Sequence, residues 1–364
     1  MIRKTFLVFL FCLLCMGLTL SPEASGQAPS RTVLVEEFTG EWCGWCPIGM
    51  MELEEMIARY GDTIIVVAVH TGDPLESPSA SAMIGAWGSS APSALINRVY
   101  DSILGAQVFQ PDDWDEVIAR QIDAPSVCDV QLNYGFNLSS RLLTAEVKAI
   151  FTENYLGDGR LNLYIVEDSV AGEAQHNYLS GNPDYINTPF YSLPDPIPGF
   201  IHEHVLREMV GESYGIDGII PDTVTAGQEF SYTFTYTIPA GYNLGHLHLV
   251  GLVQQYKGLK KYRRILNSVH YIFDPTITGH GSSAAYGKIS IGPNPAGDQV
   301  TIRAGSNEIL ESVGLYSING IKIIEQHASG NEIHLQLSGI KPQTCILVIR
   351  TKAGVYHRKL IISG

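Results

Sequence analysis

Two cysteines separated by two residues are the part of this sequence whose spacing suggests a reaction. Cys43 and Cys46 follow an apolar strand at residues 33–35 and open a segment, residues 47–60, in which apolar side chains recur with helical periodicity. A helix N-terminus favours an anion, and the thiolate is the reactive form of cysteine. The pattern therefore predicts thiol–disulfide exchange through a mixed disulfide, with Cys43 as the nucleophile and Cys46 as the resolving thiol.

A carboxyl group precedes these cysteines on the same strand. Glu37 alternates with Val33 and Val35, so its side chain is expected to point into an otherwise apolar layer. Burial raises the pKa of a carboxyl group, and Glu37 is therefore the candidate to relay the proton of Cys46. One alternative for the cysteine pair is a small structural disulfide. A zinc site would typically need two such pairs, and after the apolar run near the start of the chain, which contains Cys12 and Cys15, the sequence has one.

The motif Trp42-Cys43-Gly44-Trp45-Cys46 resembles the active site of the thioredoxin superfamily, and the resemblance spans roughly residues 31–125. It implies that Glu37 is the buried acid of that family and that Pro92, after Ala91, is the proline, usually cis, that faces the two sulfurs. Trp42, Gly44 and Trp45 would support the cysteines. The resemblance implies no cofactor beyond a redox-active Cys43–Cys46 disulfide, and the implied partners are protein thiols or disulfides.

The order of the elements agrees with that resemblance. A continuous apolar strand at residues 63–70 precedes a helical insertion near residues 79–87, a strand at 94–97 and a final helix that carries Trp114. A continuous apolar strand is what a sheet covered on both faces requires. We therefore predict an α/β thioredoxin-like domain at residues 29–125.

After residue 125 the pattern changes to strands alone. Apolar and polar residues alternate near residues 130–136, 143–149 and 230–236, which predicts an antiparallel β-sandwich at residues 126–274. Between these runs lies a proline-rich connection, residues 183–198, that does not suit a central strand. Such a long connection is often functional, or it is a surface excursion.

Two histidine pairs are the candidate metal ligands: His202 with His204, and His246 with His248. On a strand, both side chains of a pair would emerge on one face, about 6–7 Å apart along the chain. Four imidazoles could hold zinc or copper. Histidines at a sheet edge or a domain contact explain the same pattern, and nothing in the sequence brings the pairs together, so we predict no metal site.

The segments Glu36-Glu37-Phe38-Thr39-Gly40 and Phe200-Ile201-His202-Glu203-His204-Val205-Leu206-Arg207 resemble the twenty-eight-kilodalton outer-membrane protein family of Gram-negative bacteria. The resemblance covers roughly residues 30–275, and it includes the order of an α/β part followed by a strand-rich part. It implies a location at the outer membrane, and it says less about chemistry.

The end of the chain has a different character. Residues 275–287 are rich in small side chains and are predicted to be a linker. Within residues 288–364, the run Pro293-Asn294-Pro295-Ala296 and the segments 315–320 and 358–362 resemble the type A sorting domain of the type IX secretion system. The resemblance implies a small C-terminal β-sandwich recognised by the secretion machinery. One departure is that this chain has Gln343-Thr344-Cys345-Ile346 where that domain commonly reads Gly-Ile-Tyr. An ordinary β-sandwich binding domain is the alternative.

The beginning of the chain predicts export. Residues 1–28 combine Arg3 and Lys4 with an apolar run and small residues, as a secretory signal peptide does. Lipid attachment at Cys15 is the less favoured alternative, because Leu14 is bulky. No other apolar stretch approaches the ~20 residues of a membrane span. The net charge of −14 argues against nucleic acid as a partner. We expect the protein at the outer membrane, at the cell surface or outside the cell.

Two functions from different classes follow. The first is an exported thiol–disulfide oxidoreductase that uses Cys43 and Cys46. The second is a surface adhesin or binding protein that uses the thioredoxin fold as a scaffold, with the sandwich and the 183–198 connection making the contacts. An accessible, readily reduced cysteine pair favours the first function, and a buried, reduction-resistant pair favours the second.

Overall fold

A computed structural model describes residues 31–88, 90–277, 289–304, 309–317, 322–328, 330–351 and 354–363. The predicted signal peptide at residues 1–28 and most of the predicted linker at residues 275–287 lie outside the described residues. The fold has an α/β part, a strand-rich part and a separate antiparallel C-terminal part.

The α/β part contains all three α-helices of the described residues. Its elements are β1 (Val33–Thr39), α1 (Cys46–Tyr60), β2 (Ile64–His70), α2 (Ser81–Trp87), β3 (Ser93–Ile96), β4 (Val108–Phe109) and α3 (Trp114–Ile122). Pro47 lies in the first turn of α1, where its missing N–H costs no hydrogen bond. Gly61 ends α1 with a φ of 54° and donates its N–H to the carbonyl oxygen of Ile57. These elements confirm the order expected from the sequence.

The strand-rich part follows α3. Its strands are β5 (Cys128–Asn137), β6 (Leu142–Phe151), β7 (Tyr155–Leu156), β8 (Asp158–Glu167), β9 (Val170–Ala171), β10 (Ala174–Gln175), β11 (Ile197–Pro198), β12 (Ile201–His202), β13 (Val205–Met209), β14 (Thr223–Val224), β15 (Glu229–Thr237), β16 (Leu247–Tyr256) and β17 (Arg264–Ile272). Along most of β5 and β6, buried apolar side chains alternate with half-exposed residues, as the period-two pattern predicted.

One mixed sheet of eight strands runs through both parts, in the order β17-β16-β8-β13-β2-β1-β3-β4. β1 and β2 are parallel, and β3 is antiparallel to β1. β13 joins the free edge of β2, with Val205 opposite Ala68. The sequence suggested an α/β unit followed by an independent sandwich, but strands of both parts share this sheet. The edge of β2, which an isolated α/β unit would leave bare, is covered in this way.

A second sheet, in the order β15-β6-β5, packs against the β8, β16 and β17 half of the main sheet. The core between the two sheets is formed by inward side chains such as Leu132, Val147, Leu163 and Leu249. Sandwich packing is therefore present, but one of its two layers is the extension of the main sheet.

The C-terminal part is a small antiparallel structure with its own core. It contains β18 (Ile289–Gly292), β19 (Gln299–Ala304), β20 (Leu310–Ser317), β21 (Lys322–His327), β22 (Glu332–Gln336), β23 (Gln343–Thr351) and β24 (Gly354–Ile362). Two sheets, β18-β19-β22 and β21-β20-β23-β24, enclose side chains such as Val300, Leu335 and Leu347. Cys345 is buried in this core.

A buried ion pair ties the α/β part to the strand-rich part. Arg98 donates from Nη2 and Nε to Glu36 Oε1 and Oε2, at 2.6 and 2.7 Å. The same guanidinium donates to Gln254 Oε1 at 2.8 Å and to the Tyr164 hydroxyl at 2.7 Å. Strands β1, β8 and β16 all contribute side chains to this network. The network therefore fixes the position of β8 and β16 relative to β1, the strand that precedes the cysteines.

Candidate functional site

Cys43 and Cys46 form a disulfide at the start of α1. The chain turns tightly before the helix, with the Cys43 N–H donating to the Gly40 carbonyl at 3.0 Å. Only 4% of Cys43 and none of Cys46 is exposed. The pair therefore lies where the sequence predicted it, but in a more covered position than a freely accessible nucleophile would have.

Glu37 points into the apolar layer on the helix side of β1, as its alternation with Val33 and Val35 predicted. It is 2% exposed, and its Oε1 has no hydrogen-bond partner. Burial raises the pKa of Glu37 to about 8, because the charged form loses hydration and gains no compensating contact. At neutral pH the group is therefore a carboxylic acid that holds a proton close to α1.

Gly49, one turn after Cys46, is the point where this acid meets the proline. A β-carbon at position 49 would lie 2.5 Å from Glu37 Oε1 and 3.0 Å from the β-carbon of Pro92. The Ala91–Pro92 peptide bond is cis, as the resemblance implied. Glu37, Pro92 and the first turns of α1 thus form one contact region, which only a glycine at position 49 permits.

The segment that includes β10 lies over the cysteine turn. The Tyr178 N–H donates to the Gly44 carbonyl at 2.8 Å, and the His176 N–H donates to the Glu41 carbonyl at 2.8 Å. Gln175 Nε2 donates to the Cys43 carbonyl at 2.9 Å. The ring of Tyr178 also lies so close to Gly44 that a β-carbon there would overlap it. We call residues 174–178 the covering segment; it explains why Cys43 is buried.

The two tryptophans of the motif are half-exposed and have different contacts. Trp42 Nε1 donates to the Thr71 carbonyl at 2.5 Å. The Trp45 ring meets the edge of Tyr178, with 5.5 Å between ring centroids, and lies 6.1 Å from Tyr185. Trp45 is therefore packed between the covering segment and the proline-rich connection.

The four histidines singled out from the sequence lie in two places. His202 packs edge-on against His70, with 4.8 Å between ring centroids, and its Nε2 lies 3.7 Å from Glu41 Oε1. Neither ring nitrogen of His202 has a hydrogen-bond partner. Burial, and then the neighbouring His70, lower the pKa of His202 to about 4, so this ring is neutral at pH 7.

The other three histidines gather at Asp168. His204 Nδ1 lies 3.2 Å from Asp168 Oδ1 and His248 Nε2 lies 2.8 Å from Asp168 Oδ2, while His246 Nδ1 is 3.2 Å from the Asp168 carbonyl oxygen. Burial opposes ionisation, but the bonds from His204 and His248 hold the pKa of Asp168 well below its usual range. Across the described ranges, no group of three or more His, Cys, Asp or Glu is arranged to hold a metal ion.

Sequence reasoning missed the covering segment and the contacts of His70. Gln175 and Tyr178 lie in a stretch without strong periodicity, and their partners are near residue 43, so no local pattern indicated the contact. His70 ends β2, and its Nδ1 lies 2.7 Å from Asp73 Oδ2. The proline-rich connection was the one available signal, because long irregular connections are often functional.

Two family profiles match parts of this chain. A sequence profile of the family "Outer membrane protein Omp28" matches residues 80–269, slightly more than half of the chain. The chain belongs to the Omp28 family. The matched region of the Omp28 profile begins after Cys46, so the family assignment does not depend on the cysteine motif. The profile "Secretion system C-terminal sorting domain" matches residues 290–363.

One solved structure has a similar fold over nearly the whole chain. HBP35 of Porphyromonas gingivalis has a TM-score of 0.52 at 15% identity, over 92% of this chain and 99% of that one. A protein from Agrobacterium tumefaciens has a TM-score of 0.41 at 14% identity, over 70% and 100%. A domain of the outer membrane lipoprotein Omp28 from P. gingivalis has a TM-score of 0.23 at 15% identity, over 41% and 89%. None of the curated proteins compared with this chain matches it.

The two profiles decide where this Omp28-family protein goes. Its sorting domain engages the type IX secretion machinery, and the protein is delivered to the outer membrane or cell surface. Among the described residues, no helix has the length and apolar character needed to cross a membrane.

Proposed function

We propose that this Omp28-family surface protein exchanges disulfides with partner proteins through Cys43 and Cys46, on a thioredoxin-like α/β unit. The order β2-β1-β3-β4, with β3 antiparallel and the disulfide opening α1, supports that unit. The observation that carries the proposal is Glu37. A structural disulfide does not need a buried, unpartnered carboxyl group near it. An exchange reaction, in contrast, must move a proton to or from the Cys46 sulfur.

The reaction follows from these positions. A partner thiolate attacks Sγ of Cys43, the Cys43–Cys46 bond breaks, and Cys46 leaves as a thiolate that takes a proton from Glu37. A second partner thiolate then attacks the partner sulfur of the mixed disulfide and releases Cys43 as a thiolate. The partner loses two electrons and forms a disulfide, and the Cys43–Cys46 disulfide gains them and becomes a dithiol. In the reverse direction, Cys43 attacks and ionised Glu37 accepts the proton of Cys46.

The reduction potential of the pair in the chain without its signal peptide tests this function. Equilibration with dithiothreitol or glutathione buffers should give a value between about −120 and −270 mV, the range of exchange enzymes. A value below about −300 mV, as structural disulfides have, would contradict it. Cys128 does not complicate the titration, because it is buried and burial raises its pKa to about 12.

Trapping of partners provides the second test. Cys46→Ser should accumulate mixed disulfides between Cys43 and partner proteins. Cys43→Ser is the matched control, because the remaining Cys46 has no exposed surface. Equal trapping by both variants would contradict the assignment of Cys43 as the attacking residue.

One observation favours a second candidate, a surface binding protein that uses this fold as a scaffold. The covering segment leaves only 4% of Cys43 exposed, so a partner thiol must displace residues 174–178 before it reaches the sulfur. Under this alternative, binding of a ligand would persist when both cysteines are changed to serine, whereas exchange would not.

A further inference from the structure

A large cavity opens beside the first turns of α1. Its volume is about 1170 Å³. Pro92 and Trp45 line the part of the cavity near the cysteines, and Tyr185 and Phe190 of the proline-rich connection form another part of its wall. The cavity is large enough for a side chain and a short length of polypeptide.

The carboxyl groups that line the cavity are not matched by basic side chains. Six carboxyl groups contribute to it, and among the described lining residues there is no lysine or arginine. The carboxyl groups are those of Glu37, Glu52, Glu54, Glu55, Asp112 and Glu203. Burial and then repulsion from Glu55 and Asp112 raise the pKa of Glu52, which shows that these groups act on one another. Glu37 holds a proton at neutral pH, and the other five carboxyl groups give the cavity a negative potential.

An acidic rim alone would be an ordinary solvated surface, but this cavity also reaches buried polar atoms without partners. Glu37 Oε1 and Thr39 Oγ1 are both buried and make no hydrogen bond. Glu37 and Thr39 are 2% and 1% exposed, and both line the cavity. Because a buried acceptor without a donor costs free energy, these atoms indicate that a donor from outside completes the site.

The walls suit a cation that is also apolar or planar. Trp45 lies 6.1 Å from Tyr185, and Phe190 lies 6.3 Å from Phe200, measured between ring centroids. Faces of aromatic rings attract guanidinium and ammonium groups. Three imidazoles also line the cavity, those of His70, His202 and His204. The ring of His202 is neutral at pH 7, while Nδ1 of His70 lies 2.7 Å from Asp73 Oδ2 and Nδ1 of His204 lies 3.2 Å from Asp168 Oδ1, so each of these two rings has its own carboxylate partner.

We propose that this cavity binds an arginine or lysine side chain of a partner protein, with its cationic group directed at Glu37 and Thr39. The cavity lies beside Trp45 and Pro92, so a polypeptide that crosses the cysteine turn would pass its mouth. We therefore assign the cation to a partner polypeptide. That the same partner also meets Cys43 rests on the proposed function.

Calorimetric titration of the oxidised chain without its signal peptide tests the proposal. The probe is the peptide Gly-Ala-Arg-Ala-Gly with an acetylated N-terminus and an amidated C-terminus. The matched control peptide has citrulline, which has the shape of arginine without its charge. We expect the arginine peptide to bind about tenfold more tightly than the citrulline peptide, and the difference to shrink as salt is added. Equal affinities would overturn the proposal.

Variants locate the site. A cation beside Glu37 favours the ionised form of this carboxyl group, so Glu37→Gln should remove most of the preference for arginine. Glu52→Gln should do the same, while Glu153→Gln, an exposed carboxylate outside the cavity, should leave the preference unchanged. An equal effect of Glu153→Gln would overturn the assignment to this cavity. Butylguanidine carries one guanidinium group without a peptide, and if it binds as tightly as the arginine peptide, a partner chain is not the occupant.

The experiments distinguish between failure of the proposed disulfide exchange and failure of the cavity assignment. Binding is measured at equilibrium, so it should persist in a chain with Cys43→Ser and Cys46→Ser. Arginine-selective binding by a chain whose disulfide does not exchange would sink the proposed function and leave the cavity assignment standing. Disulfide exchange by a chain without any preference for arginine would contradict the cavity assignment and leave the proposed function standing.

Discussion

The aromatic ring of Tyr178 lies directly on Gly44, the residue that follows Cys43, and the Tyr178 N–H donates to the Gly44 carbonyl at 2.8 Å. A side chain at position 44 could not coexist with this contact. Glycine at this point of the motif is therefore required by the covering segment. The accessibility of the disulfide depends on how firmly residues 174–178 are held.

Tyr178→Ala should speed the reduction of the disulfide by dithiothreitol. The substitution removes the ring contacts with Gly44 and Trp45, and aromatic packing of this kind contributes about 0.5–1.5 kcal/mol, so the rate should rise by roughly two- to tenfold. The measurement is the appearance of alkylatable thiols with time. Tyr262→Ala, at an exposed position outside the site, is the control. Unchanged kinetics in Tyr178→Ala would show that the covering segment does not limit access.

The pKa of Glu37 makes a prediction about stability. It is about 8 in the folded chain against an ordinary value of 4.5, so the folded state holds a proton that the unfolded state releases between these pH values. This contribution is complete below about pH 4.5 and is lost as the pH rises through about 8, in total on the order of a few kcal/mol. Urea unfolding from pH 5 to 9 measures the decline.

Glu37→Gln should flatten that pH dependence, because an amide does not titrate. Glu153→Gln, an exposed carboxylate, is the control and should keep the wild-type profile. A profile of Glu37→Gln as steep as that of the wild type would show that another group causes the decline.

The Glu36–Arg98 pair should be the most sensitive polar contact of the fold. Arg98→Met leaves Glu36 as a buried charge without its partner, and we expect a loss of about 3–5 kcal/mol in the free energy of unfolding. Lys148→Ala breaks the exposed pair with Glu229, which should cost less than about 1 kcal/mol. Combining Arg98→Met with Glu36→Leu should recover part of the loss, and if it does not, the ion pair is not the reason for the effect.

The sorting domain makes a prediction about location. A chain that ends before residue 289 lacks the part matched by the sorting profile, and it should remain in the periplasm of a bacterium that has type IX secretion. Protease treatment of intact cells measures exposure at the surface. A chain with both Cys43→Ser and Cys46→Ser but an intact C-terminus is the control, and it should still reach the surface.

Local patterns in the sequence determined many of the secondary-structure elements, the burial of Glu37 and the family. The period of apolar residues specified β1, α1, β2 and the alternating strands β5 and β6, because these patterns reflect which face of each element is buried. The same alternation directed Glu37 into the core, and the Cys-x-x-Cys spacing indicated the disulfide. Short motifs at residues 36–40, 200–207 and 293–296 also indicated the Omp28 family and the sorting domain.

Only the tertiary structure decided which distant elements meet. Val205 pairs with Ala68, so strands of the two units expected from the sequence belong to one sheet. Arg98 forms an ion pair with Glu36, which lies on a different strand and is not related to Arg98 by any local sequence pattern. The first histidine pair separates, because His202 packs against His70 whereas His204 lies with His248 at Asp168. Tyr178 reaches Gly44 for the same physical reason: long-range contacts depend on how whole elements pack, and a sequence pattern records only the face that each element buries.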